Sequence, residues 1–192
     1  LQSPQISDNG AIIFDPLQNN KIIFRKSLNQ AVAESVFHLL DKNKFEYFAS
    51  AEGKTMDHSM KNKIYNNVNI ITCFYDDVKK YISEKSFIDI SKTSLVHSSG
   101  SMGEEYISFM PKNIHKGIAV NEYSRILKIN KSDIFALGDG MNDIEMLKES
   151  GVSVAMGNSV EELFKISKYS TKKYIENGTE IVLDWILRGL KV

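Results

Sequence analysis

Asp133-Ile134-Phe135-Ala136-Leu137-Gly138-Asp139-Gly140-Met141-Asn142-Asp143 is the stretch on which the fold turns. Ile134–Leu137 reads as a short buried strand running into a loop that carries two carboxylates and an amide. Gly138 and Gly140 flank Asp139, so the backbone can turn tightly and bring another group close to that carboxylate. Asp143 follows four residues later, at the start of an amphipathic helix. Acids at the C-terminal end of a buried strand stand where open α/β sheets bind their ligands. The stretch is therefore a candidate site for Mg²⁺ and phosphate.

Outward from that loop the chain alternates regularly. Asn113–Lys128 is expected to be helical, with Ala119, Tyr123, Ile126 and Leu127 on one face. Helix Ile144–Ser150, strand Val152–Met156 and a helix opened by a Ser159–Glu162 capping box follow. Tyr169–Thr171 would be a short edge strand and Asn177-Gly178-Thr179 the start of a last helix. Strand and helix alternating in this way predict βαβ units and a parallel sheet. The earlier part has a different texture. Asn9-Gly10 marks a turn between short strands, and Lys21–Arg25, Phe45–Ser50, Val68–Phe74, Phe87–Ile90, Thr93–His97 and Glu105–Met110 are strand candidates. Asn29–Leu40 and Asp76–Ser83 have helical spacing. Glu52–Asn67 reads as a loop with an irregular helix, and Ser98–Gly103 as a turn.

The totals exclude several classes. The 192 residues suffice for one large domain or two small ones. Lys plus Arg and Asp plus Glu both number 24, so no global charge argues for nucleic acid or an anionic membrane as partner. The single cysteine, Cys73, excludes an intrachain disulfide and reads as a buried small hydrophobe in a reducing compartment. No apolar run approaches the roughly 20 residues of a membrane span, and Leu1-Gln2-Ser3-Pro4-Gln5 has the features of neither a signal nor a transit peptide. A cytoplasmic protein is expected. The sequence opens without Met, so Leu1 is expected not to be the native start.

Mg²⁺ takes hard oxygen ligands and only one or two carboxylates, with waters and phosphate oxygens filling the remaining positions. Asp139 and Asp143 supply that kind of partial cage. An EF-hand would need an oxygen ligand two residues after Asp139, where Met141 stands. The bland alternative is that both acids only shape a turn and cap the helix from Ile144. Lys116, in His115-Lys116-Gly117, would sit in the first turn of its helix. There the macrodipole disfavours a cation by about 0.3–1 kcal/mol, and an anion nearby would make sense of it; the alternative is a solvated surface lysine. Asn9 could offer its amide to a substrate, although the turn explains it equally well. Gly-x-Ser-x-Gly, Walker, His-Glu-x-x-His and Cys-x-x-Cys patterns are absent.

With Lys116, Gly138–Asp143 and Ala155-Met156-Gly157-Asn158 in hand, the chain resembles the haloacid dehalogenase superfamily of phosphohydrolases, and within it the Cof-type, subfamily IIB branch. Asp8-Asn9-Gly10-Ala11 resembles the Asn-Gly-Ala stretch that precedes the cap of that branch. The resemblance implies a Rossmann-like parallel-sheet core, residues 1–19 and 110–192, with an inserted α/β cap, residues 20–109, that selects substrate. It implies a Mg²⁺-dependent phosphatase of small, sugar phosphate-like metabolites working through an aspartyl-phosphate. Lys116 would then steady the phosphoryl group, Asp139 would bind Mg²⁺, and Asp143 would assist the metal directly or through water. Asn142 would hydrogen-bond within the same loop.

One element of the family pattern is missing. The mechanism needs an Asp-x-Asp at the end of the first core strand, followed by a Ser or Thr motif, and neither is found. Asp15 imitates the first Asp but continues Pro16-Leu17-Gln18 and lies after the Asn-Gly-Ala element. Without that strand, buried strands such as Ile134–Leu137 would lose ladder partners, which is costly. The core is therefore expected to be incomplete at its N-terminus. Three explanations compete: a sequence that begins downstream of the true start, which is preferred, a strand supplied by another chain, or a degenerate relative. The rival to the enzyme is thus a truncated or degenerate module, inactive as this chain, that binds metal, phosphate or a partner.

Overall fold

The computed structural model describes residues 3–56, 67–84, 88–100 and 102–189. The chain divides into two compact units, Leu1–His115 and Lys116–Val192.

The first unit opens with a small antiparallel meander of β1 (Gln5–Ser7), β2 (Ile12–Asp15) and β3 (Lys21–Arg25). Its first turn, Asp8–Gly10, places Asp8, Asn9 and Gly10 all at positive φ, 52°, 50° and 98°. Asp and Asn tolerate that region better than other side chains do. Burial pushes the Asp8 carboxyl above its usual range, opposed by a hydrogen bond with Ser50.

The same unit then builds α1 (Gln30–Asn43), β4 (Tyr47–Ala51), β5 (Lys54–Met56), β6 (Val68–Phe74), α2 (Tyr75–Glu84), β7 (Thr93–Ser99) and β8 (Glu105–Pro111). The five strands form one antiparallel sheet in the order β5-β4-β6-β8-β7. Strand alternation decides its two faces. Tyr47, Ala49, Ile71, Cys73, Ile107 and Phe109 are buried in one cluster with Val32, Val36, Phe37 and Leu40 of α1 and Val78 of α2. A fully buried side chain such as Phe37 contributes about 1.5–3 kcal/mol. On the other face Phe48 is 67% exposed.

The second unit holds α3 (Lys116–Leu127), β9 (Phe135–Gly138), α4 (Ile144–Glu149), β10 (Val152–Ala155), α5 (Glu161–Ile166), β11 (Tyr169–Ser170) and α6 (Gly178–Leu187). Strands β11, β10 and β9 are parallel, in that order. Ala136 and Ala155 pack with Leu147 of α4 and Leu163 of α5. The expected α/β architecture with a parallel sheet is what forms.

Several local expectations are corrected. Asn29 caps α1 by accepting from Val32 N–H, but the helix runs to Asn43 because Lys44, not a glycine, takes the left-handed position that ends it. Strand β5 lies inside the stretch read as a loop. It forms because Glu52 and Gly53, both at positive φ, make a two-residue hairpin turn. Phe87 lies outside the described residues, and Ile90–Lys92 is a 3-10 turn, not the end of a strand. Helix α3 starts at Lys116, three residues late, after Asn113 has turned to positive φ. The Ser159–Glu162 capping box does not form: Val160 occupies the cap of α5 without a side-chain bond, and the Ser159 hydroxyl donates to Gly138 C=O at 3.0 Å. Of Ser98–Gly103, Ser101 lies outside the described residues; of Glu52–Asn67, residues 57–66 do.

Among the described residues no helix is long and apolar enough to cross a membrane. Cys73 is buried at 2% exposure. Burial, with Asp77 nearby, pushes its thiol up to about 12, so the thiolate is scarce at any physiological pH. At pH 8 the native protein should react with a thiol reagent at least about a hundredfold more slowly than the urea-unfolded protein; absorbance of the released chromophore measures both rates.

Candidate active site

The site is built where β9 and β10 end. Parallel strands side by side deliver both following loops to the same edge of the sheet, the edge at which such sheets bind ligands. The loop after β9 carries Asp139, Asn142 and Asp143; the loop after β10 carries Asn158.

Asp143 is the most constrained side chain. Its Oδ1 accepts from Lys116 Nζ at 2.6 Å. Its Oδ2 accepts from the backbone N–H of Asp139 at 3.0 Å and of Gly140 at 3.2 Å. Its own N–H donates back to Gly140 C=O at 2.9 Å. The carboxylate is thus an internal cap for the loop and the anion beside Lys116. Lys116 is the first residue of α3, where the helix dipole disfavours a cation, and Asp143 offsets that penalty. Asp143 is buried and Lys116 half-buried, with side-chain exposures of 7% and 28%. Gly138 allows this arrangement, because a Cβ there would lie 2.5 Å from Asp143 Cβ.

Asp139 is held by its backbone and left open at its side chain. Its N–H goes to Asp143, and its C=O accepts from Val160 N–H at 3.1 Å. The carboxylate is exposed. Its Oδ2 accepts from Asn158 Nδ2 at 2.9 Å, and its Oδ1 has no partner among the described residues. Asn142 is half-buried, with its side-chain oxygen 2.9 Å from where a Cβ of Gly140 would stand. Lys116, Asp139, Asn142 and Asp143 therefore converge within one unit. Asn9 sits in the first turn of the other unit, at positive φ.

Among the described residues no group of three or more His, Cys, Asp or Glu side chains could hold a metal. That excludes a Zn²⁺-like cage there but suits Mg²⁺, which needs one or two carboxylates and keeps several waters. The donor set fits on one observation: Asp139 presents an exposed side chain with one carboxylate oxygen that has no partner among the described residues. Asp143, with both oxygens engaged, fits an ion held through water.

Asn158 is the site residue that sequence reasoning did not single out. It stood inside the Ala155–Asn158 stretch, and its usable signal was topological: it follows the strand adjacent to β9.

The comparisons with known proteins agree with this geometry. Residues 1–99 and 57–183 match the haloacid dehalogenase-like hydrolase family. The chain is 32% identical over 123 residues to the 5-amino-6-(5-phospho-D-ribitylamino)uracil phosphatase YwtE of Bacillus subtilis, a match covering 64% of this chain and 42% of that protein. It is 26% identical over 191 residues to the phosphatase YcsE of the same organism, whose name carries the same substrate, covering 97% of this chain and 74% of that one. The fold matches the solved structure of a subclass IIB sugar phosphatase of the haloacid dehalogenase superfamily with a TM-score of 0.72 and 18% identity, over 95% of this chain and 75% of the other. A parallel-sheet loop with an exposed aspartate, a lysine-bound second aspartate and this sequence match place the chain in one family: it belongs to the haloacid dehalogenase-like hydrolases.

Proposed function

We propose that this chain forms the greater part of a Mg²⁺-dependent phosphohydrolase acting in the cytoplasm on small, sugar phosphate-like metabolites. The observation that carries the proposal is the division of labour between two aspartates four residues apart. Asp143 is spent on structure and on Lys116, while Asp139 keeps an open oxygen at the ligand-binding edge of the sheet. The phosphatase relatives, with a phosphorylated ribityl chain in their names, support the substrate class.

In this reading Asp139 would hold Mg²⁺, and Asp143 would assist it through water. When bound, the ion would neutralise phosphoryl oxygens as charge shifts to the leaving group. Lys116, oriented by Asp143, brings its ammonium to the phosphoryl group and steadies the attacking carboxylate. Asn142 and Asn9 are proposed to offer amides to substrate or phosphate. Residues 1–19 and 110–192 would be the core, and residues 20–109, with the five-stranded antiparallel sheet, the cap that selects substrate. The reaction would pass through an aspartyl-phosphate: a carboxylate attacks phosphorus, the ester P–O bond breaks, and the departing oxygen takes a proton from a second carboxylic acid on the same strand; that carboxylate then takes a proton from water, which attacks the acyl phosphate, releasing phosphate and restoring the first carboxylate.

That attacking carboxylate belongs on a further strand, and a specific observation favours one. Val152 N–H donates to Ile134 C=O and Met156 N–H to Gly138 C=O. So the even-numbered residues of β9 face β10, and the backbone groups of Phe135 and Leu137 point to the opposite edge. No described strand pairs with that edge. The other edge of the same sheet, β11, is two residues long and flanked by Lys168 and Lys172, a protected edge. Strand β9 has no charge, no proline and no bulge, which is the composition of an interior strand. The partner proposed for the site is therefore a strand alongside β9, supplied by a further segment or another chain. No nucleic-acid or membrane partner is proposed. Without that strand the chain would be an inactive module; hydrolysis of p-nitrophenyl phosphate by the isolated 192-residue chain would overturn this requirement.

The two aspartates should separate by mutation. In a protein that includes the further strand, Asp139→Asn should lower Mg²⁺-dependent turnover by about a hundred- to a thousandfold while shifting urea stability by no more than about 0.5 kcal/mol. Asp143→Ala strips two backbone donors and a lysine of their acceptor. It should cost about 2–4 kcal/mol of stability as well as activity. Equal turnover in wild type and Asp139→Asn would remove Asp139 from the mechanism.

A further inference from the structure

We infer that Asn158 is a positioning residue that decides which oxygen of Asp139 meets a metal ion, and so sets the preference of the site for Mg²⁺ over Ca²⁺. The inference rests on the assignment of Asp139 as the Mg²⁺ ligand and adds a residue and a selectivity to it.

Asn158 is fixed from both sides. Gly157 N–H donates to Lys172 C=O at 3.1 Å, and a Cβ on Gly157 would lie 2.6 Å from Lys173 N, so the loop after β10 lies directly against segment 171–173. On the other side Met156 N–H and the Ser159 hydroxyl both donate to Gly138 C=O, at 3.0 Å each. Between these anchors the Asn158 amide spans two loops. Its Oδ1 accepts from Tyr174 N–H at 3.2 Å, and its Nδ2 donates to Asp139 Oδ2 at 2.9 Å. A backbone N–H can only donate. The amide oxygen must therefore face Tyr174 and the NH₂ must face Asp139, which removes the usual ambiguity between the two ends of an asparagine.

Donating to Oδ2 occupies one carboxylate oxygen and leaves Oδ1 as the oxygen open to a ligand. Mg²⁺ demands near-octahedral geometry and takes single oxygens, whereas Ca²⁺ accepts six to eight ligands and commonly grips both oxygens of a carboxylate. A carboxylate with one oxygen already held by an amide suits the first ion and handicaps the second. Removing the amide would free both oxygens, and with them the bidentate mode. An aspartate at 158 has nearly the same shape but, ionised, cannot donate; its added charge attracts both divalent ions, so the ratio of the two affinities, not either affinity alone, reads the lost hydrogen bond.

The test is a titration of the ¹⁵N-labelled protein that includes the further strand, with MgCl₂ and, separately, CaCl₂. The backbone amide resonances of Asp139 and Gly140 are followed in wild type, Asn158→Ala and Asn158→Asp. The spread of the remaining resonances reports that each variant is folded. The Mg²⁺-to-Ca²⁺ affinity ratio should move toward Ca²⁺ by about tenfold in both variants, the usual scale for loss of a hydrogen bond to a metal ligand. An unchanged ratio in both variants, with wild-type Mg²⁺ binding intact, would overturn the role of Asn158 and leave Asp139 as the ligand. Absence of any Mg²⁺-dependent shift in wild type would overturn the metal assignment and this inference together. A shift confined to the Tyr174 resonance, with the ratio constant, would reduce Asn158 to a tie between loops and also overturn it.

Discussion

The carboxylate of Asp143 is the constraint on which the second unit depends. One oxygen holds the ammonium at the head of α3, and the other gathers two successive N–H groups of the loop after β9. A single buried side chain thus fixes where a helix starts and how a strand ends. It also accounts for two small residues nearby. Gly138 leaves room for Asp143 itself, and Gly117 lets α3 approach α4 so closely that a Cβ would stand 2.5 Å from Glu145 C=O. Were either glycine larger, the lysine and the carboxylate could not meet at 2.6 Å.

Because Asp143 supplies the structural work, Asp139 does not have to. Its backbone is tied on both sides, yet its side chain remains at the surface with one oxygen engaged by a neutral amide. That keeps the carboxylate in place without neutralising it. Asn158, a neutral amide, orients the carboxylate and leaves its charge intact.

The sheets manage their edges differently, and the difference bears on function. In the antiparallel sheet of the first unit, β5 is three residues long and begins with Lys54, and β7 has only Leu95 and Val96 as apolar residues among threonine, serines and histidine. Such edges resist pairing with another strand. Strand β9 does not: Phe135-Ala136-Leu137-Gly138 would be unremarkable in the middle of a parallel sheet, where both neighbours are strands. Matches that take in nearly all of this chain cover only about three quarters of the relatives' length, 74% for the phosphatase YcsE.

Much of this was legible in the residues themselves. The apolar run at 134–137 followed by glycines and acids announces a strand ending in a polar loop, and β6, β3 and α6 fall where β-branched runs and helical spacing put them. Local signals failed where the backbone did something unusual with an ordinary residue. Lys44 ends α1 in a left-handed conformation normally left to glycine, and Glu52-Gly53 makes a hairpin that a more familiar Asn-Gly would have advertised. Ser159 has the sequence of a helix cap, yet its hydroxyl reaches a carbonyl 21 positions earlier. The sequence by itself determined that Lys116, Asp139 and Asp143 are the candidates for a phosphate and metal site, because charge and glycine spacing are local properties. Only the tertiary structure decided which carboxylate is buried against the lysine and which stays open, and that Asn158 stands beside the open one. Those assignments depend on how parallel strands bring separate loops to one edge, and no window of sequence contains that juxtaposition.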